Sequence, residues 1–254
     1  AGTLLFDRLS KTIRLTEAGN LLLQEILPIL DSCKAVESKI KQLDRRAPIR
    51  IVSSITIASY YLPDALHQFE ASHPDIPVYV NVVSAANAIE VLQAGNADIA
   101  LVEGLPPHSP YQSTPFSSYP LLTLCSPDYP HSRQPLSPSA LTEERLLLRE
   151  KGSAIRDVLD SALYLYGFTA HPLWTSVNSP ALIEAAKAGL GITVLPDILV
   201  KDALNERSLI SLETEGLSLI NQLLLVTHKD KYLTEPLAEL IRIMVPDETV
   251  TLKN

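Results

Sequence analysis

Between Thr16 and Leu43, apolar residues recur at Leu22, Ile26, Ile29, Cys33, Val36, Ile40 and Leu43 in alternating steps of four and three. That spacing is the seam of a helix packed along another helix. Thr16 is placed to cap it, and Glu17 sets an anion in the first turn, at the positive end of the helix dipole. The run is about 40 Å long at the α-helical rise. Pro28 removes one backbone donor and predicts a bend near Gln24 rather than two separate helices. The same stripe would also suit an amphipathic helix lying on its own domain's core. Pairing with a second helix is favoured because Ala47-Pro48 ends the run as a linker would, and a new apolar core starts at Ile49.

From Pro48 onward the pattern changes period. IRIVSSI, VYVNVVS, ADIALVEG and LLTLCS read as strands, with helical patterns at YLPDALHQFEASHP and AIEVLQAG between the first three. Strands alternating with helices predict βαβ units and a parallel sheet. A second set follows in RLLLRE, SAIRDVLDSALYLYGF, PLWTSVN, SPALIEAAKAG, LGITVLP, DILVKDALNE and SLISLET. NQLLLVTHK and EPLAELIRIMV add a last strand and helix. SPDYPHSRQPLSPSA, rich in Pro and Ser, reads as a surface connection. The expectation is an α/β chain of two Rossmann-like lobes joined by two crossing strands, with lobe I at 48–126 and 220–254 and lobe II at 127–219.

Charge separates the same segments. Residues 1–47 hold eight Lys/Arg against six Asp/Glu, whereas 48–254 hold thirteen against twenty-three, within a net charge of −8. The larger part should avoid nucleic acid. Arg8, Lys11 and Arg14 lie on the strand-turn-strand LFDRLSKTIRL, where a hairpin can lay them along phosphates or leave them merely solvated. The two cysteines, Cys33 and Cys125, argue against a disulfide framework. The chain shows neither a run of eighteen apolar residues nor the pattern of a signal peptide, which favours a cytoplasmic protein without a membrane partner. The six histidines form no metal-ligand spacing, and no GxxxxGK(S/T), GxGxxG or GxSxG motif is present, so no metal, no cofactor and no catalysis are expected.

LTEAG before the long helix, followed by IRIVSSITIASYYLP, HPDIPVYV, AGNADIALVEG, LLLREKGSAIRDVLD and AAKAGLGITVLP, resembles the LysR-type bacterial transcriptional regulators over essentially the whole chain. The resemblance implies the remnant of a winged helix-turn-helix at 1–15, a linker and dimerisation helix at 16–47, and an effector-binding domain at 48–254. That domain has the type 2 periplasmic-binding-protein architecture. It further implies homodimers or homotetramers and promoter DNA as partner of the full-length protein. Ala1 falls where a recognition helix would be ending, so the base-contacting residues lie outside these residues. Ala154 stands where many relatives carry a glycine, which alters how closely the backbone approaches a ligand.

Ligands of open α/β sheets sit beyond the carboxyl ends of the strands, and in a two-lobed protein between two such sets of ends. Ser54 and Thr56 follow one strand and precede a helix; Gly152 and Ser153 occupy the same junction in the second lobe. Two helix N-termini facing one cleft would hold an anion or carboxylate without a metal. Taken singly, Ser54, Thr56 and Ser153 read equally as ordinary caps. Ala86 and Asn87 follow VVSA, with Asn87 either a cap or a ligand contact. Glu103 ends ADIALVEG and would oppose an anion if ionised. Arg149 offers a bidentate donor to an acid or pairs with Glu143 or Glu150. Asn178 and Thr193 stand at comparable positions, whereas Gly189 and Gly191 read as backbone-geometry residues. A free-standing solute-binding protein of the same fold is the alternative, although residues 5–43 have no use in a transport receptor.

Overall fold

The computed structural model describes residues 2–9, 12–105, 107–130 and 134–245. The chain divides into two compact units at Ala47/Pro48, the first also taking in residues 234–236.

The first unit begins with an antiparallel hairpin, β1 (Phe6–Leu9) and β2 (Thr12–Leu15), and continues into α1 (Glu17–Arg45). Thr16 caps α1: its hydroxyl accepts from the Gly19 N–H at 3.0 Å and donates to the Leu4 carbonyl at 2.8 Å. Gly19 is required by packing, because a Cβ there would lie 2.1 Å from the Leu5 carbonyl oxygen. The LTEAG segment thus ties hairpin and helix together through one cap and one missing side chain. α1 runs unbroken through Pro28. The seam residues Leu22, Ile26, Ile29, Val36, Ile40 and Leu43 are all exposed and form an apolar stripe along α1.

In the hairpin, Asp7 pairs with Arg14 and Arg8 with Ile13. Strand side chains alternate between faces, so Arg8 and Arg14 project from opposite sides. Lys11, the third basic residue expected to lie along phosphates, falls outside the described residues.

The second unit contains β3 (Ile49–Ser53), α2 (Ile55–Tyr60), α3 (Leu62–Ser72), β4 (Val78–Val82), α4 (Ala85–Gln93) and β5 (Ile99–Glu103). The long β6 (Tyr111–Cys125) leads to α5 (Pro138–Glu143), β7 (Leu146–Arg149), α6 (Ala154–Leu165), β8 (Trp174–Ser176) and α7 (Ser179–Lys187). Then come β9 (Ile192–Pro196), α8 (Asp197–Asn205), β10 (Ile210–Leu212), β11 (Ile220–His228) and α9 (Glu235–Met244). The strand order is β4-β3-β5-β11-β6-β9-β7-β8, with β10 on β6. β3, β4 and β5 are mutually parallel, as are β7, β8 and β9, while β11 runs antiparallel to β5, β6 antiparallel to β9, and β6 and β11 antiparallel to each other. Each parallel set is a lobe, and β6 with β11 makes the crossing between them.

β6 extends well beyond the LLTLCS segment that reads as a strand. Its first part pairs with β11, while Leu121–Leu124 pair with β9 and Thr123–Cys125 with β10. The last part of β6 is thus paired into the second parallel set. The register slips by one residue at Phe116, opposite the step from Leu223 to Leu224. Such a bulge accommodates Pro115, which has no N–H to give a ladder.

Periodicity builds the cores. Leu237, Leu240, Ile241 and Met244 of α9 and Ile155, Leu159 and Leu163 of α6 fall on single faces and are buried in one continuous cluster with Ile49, Ile51, Ile99 and Leu101. Burying each such side chain stabilises by about 1.5–3 kcal/mol. The opposite face of lobe II packs Leu124, Leu147 and Leu195 under Leu182, Ala186 and Val200 of α7 and α8.

Candidate functional site

The carboxyl ends of β3, β5 and β7 carry Ser53, Glu103 and Arg149. Beyond these ends the lobes come into contact. A Cβ built on Gly104 would lie 3.7 Å from the Ala154 Cβ, and one on Gly152 would lie 3.8 Å from the Ala86 Cβ. The first turn of α6 in lobe II therefore faces the end of β5 in lobe I.

Around this junction sits a buried polar cluster. Ser54 is 2% exposed and occupies the N-cap position of α2, yet its hydroxyl makes no cap bond and lies beside the Glu103 carboxyl instead. Glu103 is 8% exposed with Oε1 unpartnered, and Asn221 is fully buried with Oδ1 unpartnered. The Asn221 side-chain amide donates to the Tyr119 hydroxyl at 3.2 Å, and Asn221 is also the strand partner of Tyr119 across the β6–β11 crossing. Leu223, two residues along the same face, is the partner of Glu103. The pleat thus brings Glu103, Tyr119 and Asn221 onto one sheet face.

Burial pushes the Glu103 carboxyl above the usual carboxylate range. The hydroxyls of Thr56 and Tyr119, the Arg149 guanidinium and the Ser54 hydroxyl pull the other way without overcoming it. Burial and the neighbouring Glu103 also hold the Tyr119 phenol above its ordinary value. Leaving buried polar atoms unpaired costs on the order of 1–3 kcal/mol each.

In lobe II, Ser153 is buried at the N-cap position of α6, and its hydroxyl does not cap. Gly152 adopts φ +85°, a conformation that favours glycine. Arg149 is buried, and its fork is already engaged: Nε and Nη2 donate to the two Glu150 carboxylate oxygens at 2.8 and 3.0 Å, and Nη1 donates to the Ser179 hydroxyl at 3.0 Å. Pairing with Glu150 is thus the alternative realised, and Arg149 acts on Glu103 through its charge. Arg156, also buried, donates to Asp160 and to the Arg149 and Ala170 carbonyls, fastening α6 to the end of β7.

Several expected residues fall elsewhere. Ser84, not Asn87, caps α4, its hydroxyl accepting from the Asn87 N–H at 3.3 Å; Asn87 and Ala86 are exposed at that helix's first turn. α2, with six residues, offers less of a helix dipole than expected beside Ser54 and Thr56, whereas α6 spans twelve. Asn178 occupies the exposed N-cap position of α7 without a side-chain cap bond. Thr193 is the second residue of β9, opposite Leu124 and Leu147. It therefore faces the apolar layer under α7 and α8, away from the strand's carboxyl end at Pro196, and its hydroxyl is an orphan inside a core. Tyr119 and Asn221 had no local signal, since strand pairing across 102 residues unites them. Among the described residues no group of three or more His, Cys, Asp or Glu could hold a metal ion. No described helix is long and apolar enough to cross a membrane.

Two parallel-stranded lobes bridged by antiparallel crossing strands, meeting beyond their strand ends over a buried polar cluster, define a bilobed effector-binding fold. Residues 44–247 match the family described as LysR substrate binding domain, and the chain belongs to the LysR family of transcriptional regulators. It is 29% identical over 237 residues, 93% of this chain and 80% of the relative, to the uncharacterized HTH-type transcriptional regulator YeiE of Escherichia coli K12. It is 28% identical to the RuBisCO operon transcriptional regulator of Allochromatium vinosum over 99% of this chain and 83% of that one. In fold it is similar to the Synechocystis PCC6803 CcmR regulatory domain in complex with 2-PG, with a TM-score of 0.70 at 20% identity over 80% of this chain and 98% of that chain.

Proposed function

We propose that this chain carries the effector-sensing and oligomerisation parts of its regulator, and that a small anion or carboxylate binds between Glu103 and the first turn of α6. The observation that carries this reading is the set of buried polar atoms, Ser54 Oγ, Glu103 Oε1 and Asn221 Oδ1, gathered at the lobe I side of the Gly104–Ala154 contact, across which Ser153 makes no side-chain cap bond at the start of α6. The first backbone amides of α6 and the dipole of a twelve-residue helix favour negative charge. A neutral Glu103 carboxyl, favoured by its burial, donates a hydrogen bond to the anion instead of repelling it. A fold neighbour held with 2-PG supports a small ligand in a cleft of this kind.

Binding then selects a closed population of lobes, as any ligand with differential affinity for two states must. The exposed apolar seam of α1 pairs with that of a second copy, giving a dimer or, with pairing of effector domains, a tetramer. In the full-length protein the closed population alters how the DNA-binding heads meet their half-sites. In the wing, either Arg8 or Arg14 contacts phosphate, since they lie on opposite faces. The test is thermal denaturation of the chain with phosphate, sulfate, sulfite, lactate, citrate and benzoate. At a concentration 100 times its Kd, a true effector adds about 2.7 kcal/mol of stability, and Ser54→Ala/Ser153→Ala should abolish the gain. No gain from any anion defeats the reading.

A further inference from the structure

The charges of α1 are sorted by half. Residues 17–31 hold Glu17, Glu25 and Asp31 and no Lys or Arg, a net −3, while residues 32–45 hold four Lys/Arg against Glu37 and Asp44, a net +2. Two copies laid parallel set like against like at both ends and align their dipoles. Laid antiparallel, each negative half meets a positive half and the dipoles oppose. Two of these charges flank the apolar seam. In the heptad frame Ile26, Cys33 and Ile40 take one core position and Leu22, Ile29, Val36 and Leu43 the other, so Glu25, Ser32 and Lys39 stand immediately beside the first set. Glu25 and Lys39 are exposed. Neither has an opposite charge three or four residues away, where a partner on the same helix would lie, whereas Glu37 has Lys34 at that spacing.

We infer that α1 pairs antiparallel with α1 of a second copy, in the register that sets Glu25 of each against Lys39 of the other, and that these two residues select the partner. This inference rests on the proposed self-pairing of the seam and names its geometry. In this register Leu22 lies against Ile40 of the second copy, Ile26 against Val36 and Ile29 against Cys33, each layer occurring twice about a two-fold axis at Asp31. Leu30 then meets its own counterpart beside the axis. A parallel pair puts Glu25 beside Leu30 and Lys39 beside Asp44, leaving Glu25 without a counter-charge. Charges flanking a seam set orientation and partner choice, while the apolar layers supply most of the affinity.

The experiment is sedimentation equilibrium at low salt on the wild type, Glu25→Lys, Lys39→Glu and the double swap. Each single variant turns two attractive pairs into two repulsive ones and should weaken self-association about tenfold. The double swap should recover the wild-type dissociation constant yet fail to pair with the wild type, and all these differences should shrink in high salt. Crosslinking reads the orientation at α1 itself: in a Cys33→Ser background, Glu25→Cys and Lys39→Cys chains should be joined by a short bismaleimide when mixed and not when each is alone. A chain that stays monomeric at every concentration overturns the self-pairing reading and this inference together. Dimers indifferent to Glu25→Lys, or not recovered by the double swap, overturn the partner-selecting role of Glu25 and Lys39 and leave self-pairing standing. Crosslinking of Glu25→Cys chains alone overturns the antiparallel register. All three positions are exposed, so the variants test pairing rather than folding.

Discussion

Gly104 and Ala154 meet across the cleft: a Cβ on the glycine would lie 3.7 Å from the alanine methyl, the distance of ordinary van der Waals contact. Gly104 holds φ +102°, a conformation side chains rarely adopt, so the close approach is built into both backbone and composition. Enlarging the alanine should wedge the lobes. Ala154→Leu is expected to weaken anion binding at least tenfold while costing about 1–3 kcal/mol of stability through overpacking. Calorimetry and thermal melts on the same preparation check the two halves; unchanged affinity would mean that closure at this contact is not needed for binding.

Burial raises the Glu103 carboxyl above its ordinary value of 4.5. A raised acid is stabilising when protonated, so its contribution is complete below about 4.5 and is lost as pH climbs towards the folded-state value. The melting temperature of the wild type should therefore fall on going from pH 5 to pH 8 by more than that of Glu103→Gln, whose side chain does not titrate. Parallel pH profiles of the two proteins would show no difference if the carboxyl were ionised throughout.

Gly19 sits in the first turn of α1 with the Leu5 carbonyl 2.1 Å from where a Cβ would be. In an unobstructed helix, alanine would be favoured over glycine by up to about 1 kcal/mol. Here Gly19→Ala should destabilise the hairpin–helix junction instead, read as faster amide exchange at Thr16 and Gly19. Slower exchange would show that the junction yields.

Thr193 buries an unpartnered hydroxyl among Leu124, Leu147 and Leu195. Thr193→Val should stabilise the chain by about 1 kcal/mol or more and leave anion affinity unaltered. A loss of affinity would return Thr193 to the site.

Much of this architecture is written locally. The seam from Leu22 to Leu43, the Thr16 cap and the βαβ order follow from periodicity and side-chain chemistry acting within a few residues. β6 escaped because YQSTPFSSYP is polar, holds two prolines and is bulged at Phe116, so no alternation survives to be read. Thr193 carries no local sign of its facing, because every residue of β9 is buried and a strand covered on both faces does not show which face turns towards the other lobe. Asn87 lost its cap to Ser84 through a boundary shift of a few residues. Tyr119 and Asn221, the floor of the site, are brought together only by strand pairing.

The location of the site is tested most directly by hydrogen–deuterium exchange with and without the tightest-binding anion of the panel. Protection concentrated at the end of β5, residues 103–104, and at 152–157 leading into α6 is the predicted result. Unchanged exchange at both segments, with protection elsewhere or nowhere, would contradict an anion held between Glu103 and the start of α6.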